Sequence, residues 1–273
     1  MSKIVLLVLS GKPEIAVGKL EVLYPGSIIE GLSRSEFGSA HKGLLALRRR
    51  KPDIFAVMTQ SLEWQFGQHA FLVLGRLAGA RETIILDAFG NLRSSSEFNP
   101  LVKGPGLLAA EVVAGRLAFR RAERRLAEVK PLIDSLEPVI KSGKLSVTYL
   151  RPTPAAGTLP GGASSHINGV VNALSALGAN VTCVSNDDIA GLRTSLPLVK
   201  FSPDSSALPR AAFDVLNGLK FAEKAARYIA DHPPSFIYQR HARFSLAGVE
   251  AKLASRRPLF LEYNGSEVWV GKH

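Results

Sequence analysis

The chain carries a single cysteine, Cys183, set inside the apolar run NVTCVSN. One thiol excludes an internal disulfide framework and any multi-cysteine metal site, which fits a reducing cytosol, and Cys183 itself reads as a buried strand residue. Aromatic residues make up only 7% of the sequence and do not cluster with the basic ones. A stacking platform for single-stranded nucleic acid is therefore missing, and no nucleic-acid partner is expected. Long hydrophobic runs are absent too. The opening MSKIVLLVLSGKPE is apolar over a stretch too short for a membrane span and lacks a small-residue cleavage pattern, so it reads as a first buried strand. No Ser-, Gln- or acid-rich stretch is long enough for extended disorder. Neither the GxGxxG of dinucleotide folds nor the GK[ST] of a P-loop occurs, which argues against an oxidoreductase or an NTPase.

What is present is globular: 273 residues, 46% hydrophobic and 21% charged, enough for one large or two ordinary α/β units. Lys and Arg number 34 against 23 Asp and Glu, a formal net charge of +11, so the surface should attract anions such as phosphates, nucleic acid or acidic lipid, and charge alone does not choose among them. Apolar, β-branched runs at Lys3–Leu9, Ile54–Thr59 and Thr83–Asp87 alternate with the helix-spaced segments HKGLLALRRR and GQHAFLVLGRLAGA. Strands apolar on both faces that alternate with helices indicate a parallel sheet covered on both sides. Residues 1–100 are thus expected to form an amino-terminal α/β unit.

Residues 101–142 read as a helical connector. Good helix formers run from Leu107 to Lys144, with Pro131 and Pro138 expected to break or kink the helix. Its arginines, among them Arg120, Arg121, Arg124 and Arg125, fit either a connecting helix with solvated charges or an interfacial helix on an anionic membrane surface. Alternation restarts at residue 143: the strand LSVTYL, a helix from Ser165 to Leu177 closed by Gly178, the strand NVTCVS, a helix over Phe213–Ala230, and the strands SFIYQ and PLFLEY around a further helix. The fold class is α/β: two units with Rossmann-like parallel sheets and flanking helices, joined by a long basic helix.

The most informative segment is RPTPAAGTLPGGASSHINGVVNAL, which passes from a strand through a Pro/Gly-rich loop into a helix. Gly161 and Gly162 permit positive φ and close approach of a ligand, and Ser164 or Ser165 can cap the helix, whose free N–H groups suit an anion or a sugar hydroxyl. Gly169, one turn inside, reads as allowing close packing on the strand. Ligands bind beyond the carboxyl ends of parallel strands, so this loop should share one cleft with Ser185–Asp188, Arg240–Arg243 and Glu262–Glu267. In that cleft His166 fits either a base or a polar cap, and Arg240 and Arg243 fit either an anion clamp or surface ion pairs with Glu250 or Glu262. Glu262 ends an apolar strand, where an unpaired carboxylate is expensive, and with Glu267 it is a candidate for acceptor hydroxyls. Trp269 reads as a core aromatic before a sugar platform. Thr59, Gln60, Asp87 and Asn91 follow two strands of the first unit and mark a second small site without a motif.

The series GGASSHINGVVNAL, GANVTCVSN, FIYQRHARFSLAG and PLFLEYNGSEVWVGKH resembles the first lobe of family 4 glycosyltransferases of the GT-B fold, over roughly Leu145 to His273. The resemblance implies two Rossmann-like lobes about a cleft, the first (residues 143–273) holding a glycan or lipid-linked acceptor and the second a nucleotide-sugar donor. It implies a retaining hexosyltransferase for envelope polysaccharide with no metal and no cofactor, acting in the cytoplasm or peripherally at the inner membrane face. Carried over, Gly161 and Gly162 approach the donor phosphates, while His166, Glu262, Asn264, Gly265 and Glu267 face the acceptor. The carboxyl-terminal donor lobe of that family has no counterpart before His273, so the chain is expected to supply the acceptor side only. The alternative is a non-catalytic sugar-phosphate-binding or membrane-association module.

Overall fold

A computed structural model describes residues 1–97, 99–140, 142–153 and 162–263. The chain divides into two compact units, residues 1–114 with 206–210, and residues 115–205 with 211–273. In the first, β1 (Lys3–Val8), α1 (Pro13–Leu23), β2 (Ile28–Leu32), α2 (Arg34–Phe37), α3 (Ala40–Arg50), β3 (Ile54–Thr59), α4 (Gln68–Leu77), β4 (Glu82–Asp87) and β5 (Leu92–Ser94) build a sheet of order β2-β1-β3-β4-β5. Its pairs are parallel except the edge pair β4–β5. The alternation of side chains along β1 explains the two layers: Val5 and Leu7 join the cluster that includes Leu47 and Leu72 of α3 and α4, while Ile4 and Leu6 join Ala16 and Leu20 of α1.

The helix α5 (Pro100–Ser135) begins in the first unit and ends in the second. It starts earlier than the sequence suggests, because Asn99 accepts the Leu101 N–H on its side-chain oxygen and so caps a start at Pro100. Gly104 lets the helix lie against α4, where an added Cβ would strike Val73. Nor does Pro131 end the helix, which continues to Ser135. A proline removes one ladder bond, and the helix has a single further turn to run beyond it while Ala118 and Val129 anchor its buried face. Of the four arginines that fitted an interfacial helix, Arg125 is committed to Glu250 through two bonds of 2.6 and 2.7 Å and Arg121 reaches Glu223 at 3.4 Å. No helix among the described residues is long and apolar enough to cross a membrane.

The second unit adds β6 (Ser146–Arg151), α6 (Gly162–Ala176), β7 (Asn180–Ser185), β8 (Leu198–Lys200), α7 (Arg210–Asp231), β9 (Phe236–Arg240), α8 (Ala247–Ser255) and β10 (Leu259–Glu262). All its pairs are parallel, in the order β10-β9-β6-β7-β8. The chain moves outward from β6 through β7 to β8, then returns to the other side of β6 and moves outward through β9 to β10. This is the doubly wound nucleotide-fold order, with its reversal between β6 and β9. Leu150, Val184 and Ile237 pack on Phe221, Ala225 and Ala251 of α7 and α8, whereas Val147, Tyr149, Val181 and Cys183 pack under Ile167 and Val171 of α6. Cys183 is fully buried, and burial pushes its thiol up to about 12, which makes it inert at neutral pH.

Two helical glycines of this unit behave in opposite ways. Gly169, expected to allow close packing, is exposed and has open space where a Cβ would stand. An added Cβ on Gly218 of α7 would lie 2.6 Å from the Phe244 carbonyl oxygen, so this glycine seats the loop after β9 against the helix. Helix propensity favours Ala over Gly by about 1 kcal/mol at both positions. We therefore expect Gly169→Ala to stabilise the protein by about 0.5–1 kcal/mol in urea unfolding. Gly218→Ala should destabilise it by about 1–3 kcal/mol, because overpacking against a fixed backbone outweighs the propensity gain.

Candidate active site

Side-chain parity decides what meets at the carboxyl edge of the second sheet. Val147 and Tyr149 face α6, so Arg151 does as well; Cys183 carries Ser185 with it, and Tyr238 carries Arg240. Leu259 packs on the opposite cluster, which turns Phe260 and Glu262 toward α6. The parallel register sets Tyr149 level with Tyr238 and Arg240 level with Glu262. Two cross-sheet rows result on one face: Cys183, Tyr149, Tyr238 and Phe260, and above them Ser185, Arg151, Arg240 and Glu262.

Glu262 is the centre of this edge. Its Oε2 accepts a 2.9 Å bond from the Tyr238 hydroxyl, its Oε1 lies 2.8 Å from His166 Nε2 at the second turn of α6, and Arg240 Nε stands 3.9 Å away. The carboxylate side chain is 13% exposed and the imidazole 44% exposed, so the pair has a dry side and a wet side. Burial raises the Tyr238 phenol, and donation to the Glu262 carboxylate raises it further, since a phenolate there would face a negative charge. Tyr149 stacks on Tyr238 with ring centroids 5.5 Å apart. At the other end of the upper row, Arg151 donates from Nη1 to the Ser185 hydroxyl at 3.2 Å and to the Asp188 carbonyl at 3.3 Å. Asn186 holds both backbone groups of Thr153, at 2.9 and 2.8 Å, and thereby fixes the direction in which the chain leaves β6.

The structure brings His166, Glu262 and Arg240 together, as the convergence of strand ends requires. Arg243 departs from the expected clamp: its Nη2 lies 3.7 Å from the buried Asp214 of α7, because the loop after β9 turns there, with Phe244 at a φ of 58°. Ser164 and Ser165 stand inside the first turn of α6 instead of capping it, since the helix already begins at Gly162. Ser164 is buried, Ser165 exposed, and Gly162 exposed with open space about it. Gly161, Asn264, Gly265, Glu267 and Trp269 lie outside the described residues. Sequence reasoning missed Tyr149, Arg151 and Tyr238. Arg151 could have been found by the reasoning that found Glu262, as a charge ending an apolar strand.

The second small site marked in the first unit is not an open one. Asp87 is fully buried and accepts from the backbone N–H groups of Leu62, Phe89 and Asn91 and from the Asn91 side chain. Burial is the largest influence and pushes its carboxyl up, but these four donors together outweigh it and hold the group below its ordinary value. Thr59 is likewise committed, donating to Gln65 at 2.9 Å. The grooves of 440 and 540 Å³ in the second unit lie among α5, α7 and α8, and one of 270 Å³ lies between α5, α7 and the loop after β9, where it reaches His241 and Ala242. Among the described residues no group of three His, Cys, Asp or Glu side chains is arranged to hold a metal.

No protein-family model and no curated protein matches the chain. Among solved structures it is similar to the S. aureus MnaA-UDP co-structure at 12% identity, with 96% of this chain and 79% of that chain covered and a TM-score of 0.24. A likeness that faint carries no argument. The residues must carry it instead.

The Tyr238–Glu262 bond is directly testable. In Glu262→Gln the phenolate no longer faces a carboxylate, so Tyr238 should titrate at lower pH than in the parent, while burial keeps it above free tyrosine. Ultraviolet tyrosinate titration, with Tyr238→Phe subtracted to isolate the signal, reads the shift. An unmoved midpoint would remove Glu262 from contact with Tyr238.

Proposed function

We propose that the second unit is the acceptor-side lobe of a nucleotide-sugar-dependent glycosyltransferase and that His166 and Glu262 engage the acceptor hydroxyl. The single observation that carries this reading is the 2.8 Å His166–Glu262 pair at the carboxyl edge of a sheet in the doubly wound order. A carboxylate can only accept, so it fixes the proton on Nε2 and leaves Nδ1 of the neutral imidazole as an acceptor. That nitrogen belongs to a half-exposed ring beside a helix start, where a sugar hydroxyl can donate to it. On transfer, Nδ1 would take the hydroxyl proton as the oxygen forms its bond to the anomeric carbon. The bond from that carbon to the nucleotide diphosphate breaks with its electron pair leaving on phosphate. The imidazolium so formed is stabilised by Glu262.

The family 4 resemblance supports the same assignment, since it sets His166 and the segment from Glu262 against the acceptor. Retention of anomeric configuration, the hexose and a glycan or lipid-linked acceptor are the finer parts of the proposal and come from that resemblance.

The test is saturation-transfer NMR and calorimetry of the chain with monosaccharides, short glycans and nucleotide-sugars, alongside a transfer assay. We expect saccharide binding that weakens about tenfold in His166→Ala and in Glu262→Gln, the loss of one hydrogen bond to a charge-supported group. Binding equal to the parent in both variants would discard the site. Binding without turnover for any nucleotide-sugar would favour the non-catalytic module.

A further inference from the structure

The grooves of 270 and 540 Å³ share Leu126 and Leu246 as lining residues, so they run into one another as a single apolar channel along the second half of α5. Its walls include Val129, Leu219, Phe244 and Val249. Lys130 and His241 are the ionisable groups among its described lining residues, and neither is a carboxylate. Leu126 is 52% exposed and Phe244 47% exposed, so apolar surface is gathered in a concave place where single scattered side chains would need no explanation. The wall is also fixed. Phe244 sits at a φ of 58°, and its carbonyl oxygen lies where an added Cβ on Gly218 of α7 would stand.

A second observation says what fills the channel. Its 270 Å³ end meets the carboxyl edge of the sheet at His241, the residue after Arg240. The His241 backbone N–H donates to the Glu262 carbonyl at 2.8 Å, and its ring stands edge-on to Tyr263 with centroids 5.1 Å apart. Alternation turns Gln239 toward α8, where it accepts the Gly248 N–H, turns Arg240 toward α6, and returns His241 to the channel side. The channel mouth is thus one residue along the chain from the row that holds Glu262. A ligand reaching both places needs a polar head and a thin, flexible apolar extension. A protein partner covers about 800 Å² on each side, which a channel of this kind does not offer.

We propose that this channel holds the hydrocarbon tail of a lipid-linked acceptor whose sugar head lies over the carboxyl edge at His166 and Glu262. Each methylene taken from water into the channel adds affinity, while the hydrogen bonds at the edge fix the head. This deepens the acceptor reading and rests on it only for the sugar head: the tail site stands on the channel itself.

Calorimetry on the intact chain with methyl, butyl, hexyl and octyl glycosides of glucose, mannose and N-acetylglucosamine, kept below micelle-forming concentrations, separates the parts. We expect affinity to rise with chain length by up to about fourfold per added methylene, and by about tenfold or more from methyl to octyl. Leu126→Gln should flatten that rise without emptying the core, since Leu126 is half-exposed. Phe244→Asn should do the same, because asparagine tolerates the positive φ there. His166→Ala should weaken methyl and octyl glycosides alike, about tenfold, and leave the rise intact. Methyl and octyl glycosides bound equally would overturn the tail site and leave the acceptor reading standing, and so would a rise that neither channel variant reduces. Tetraethylene glycol octyl ether bound as tightly as any octyl glycoside would support the tail site and remove the sugar head, and the acceptor reading with it. A dimer in sedimentation velocity that Leu126→Gln dissolves would give the channel to a second copy and overturn the proposal. Binding of none of these probes overturns both.

Discussion

Glu262 is the last residue of an edge strand, and its carboxylate joins three elements that are far apart in sequence: α6 through His166, β9 through Tyr238 and Arg240, and β10 itself. A carboxylate with only 13% of its side chain exposed needs such partners, because an unpaired buried charge costs more than one hydrogen bond returns. The geometry of the candidate site follows from meeting that need. His166 is drawn over the sheet edge from the second turn of α6, with its ring left half-exposed. Removing the charge at 262 would therefore loosen the histidine, the tyrosine and the arginine together.

The sheet makes this convergence possible because parallel register acts as a ruler. Four of the five strands of the second sheet contribute their last α6-facing residue to the same row, which reads hydroxyl, guanidinium, guanidinium, carboxylate across β7, β6, β9 and β10. Rigid strands fix the spacing of such groups more tightly than loops would. The loop after β9 is itself fastened. Gln239 accepts the Gly248 N–H at 2.5 Å, and Gly218 receives the Phe244 backbone. That fastening explains why Arg243, three residues beyond Arg240, is carried off to Asp214 while Arg240 stays in the row.

Most of the strands that were legible in the sequence are largely buried, although β9 and the half-exposed edge strand β10 were read as well. β3, with every residue buried, and β1, β4, β6 and β7 carry continuous apolar runs that no helix period explains. The edge strands β2, β5 and β8 went unread because they are short and half-exposed, so their letters do not differ from loop. At the site, His166 and Glu262 were visible as a polar residue at a glycine-flanked helix start and a charge at a strand end. Tyr149 was not, because its place depends on which strand lies next to β6, and strand order is not written in a local window; Arg151, a charge ending an apolar strand, carried the same signal as Glu262 and was passed over. Gly169 misled for a related reason: a helical glycine looks the same in sequence whether its missing Cβ faces a neighbour or water.

The two units end their sheets in chemically different ways, and the contrast bears on where a ligand belongs. At the reversal between β1 and β3 of the first unit, Ser10, Thr59 and Gln65 form a closed chain. The Ser10 and Thr59 hydroxyls are 3.3 Å apart, Thr59 donates to Gln65, and the Gln65 amide donates to the Phe66 carbonyl. Asp87 nearby spends its lone pairs on its own turn and on the Leu62 N–H. Such a network satisfies itself and offers a ligand little that it does not already have. The reversal between β6 and β9 differs: two arginines end adjacent strands at one level, a half-exposed imidazole stands over the sheet edge, and the buried Tyr149 hydroxyl has no hydrogen-bond partner among the described residues.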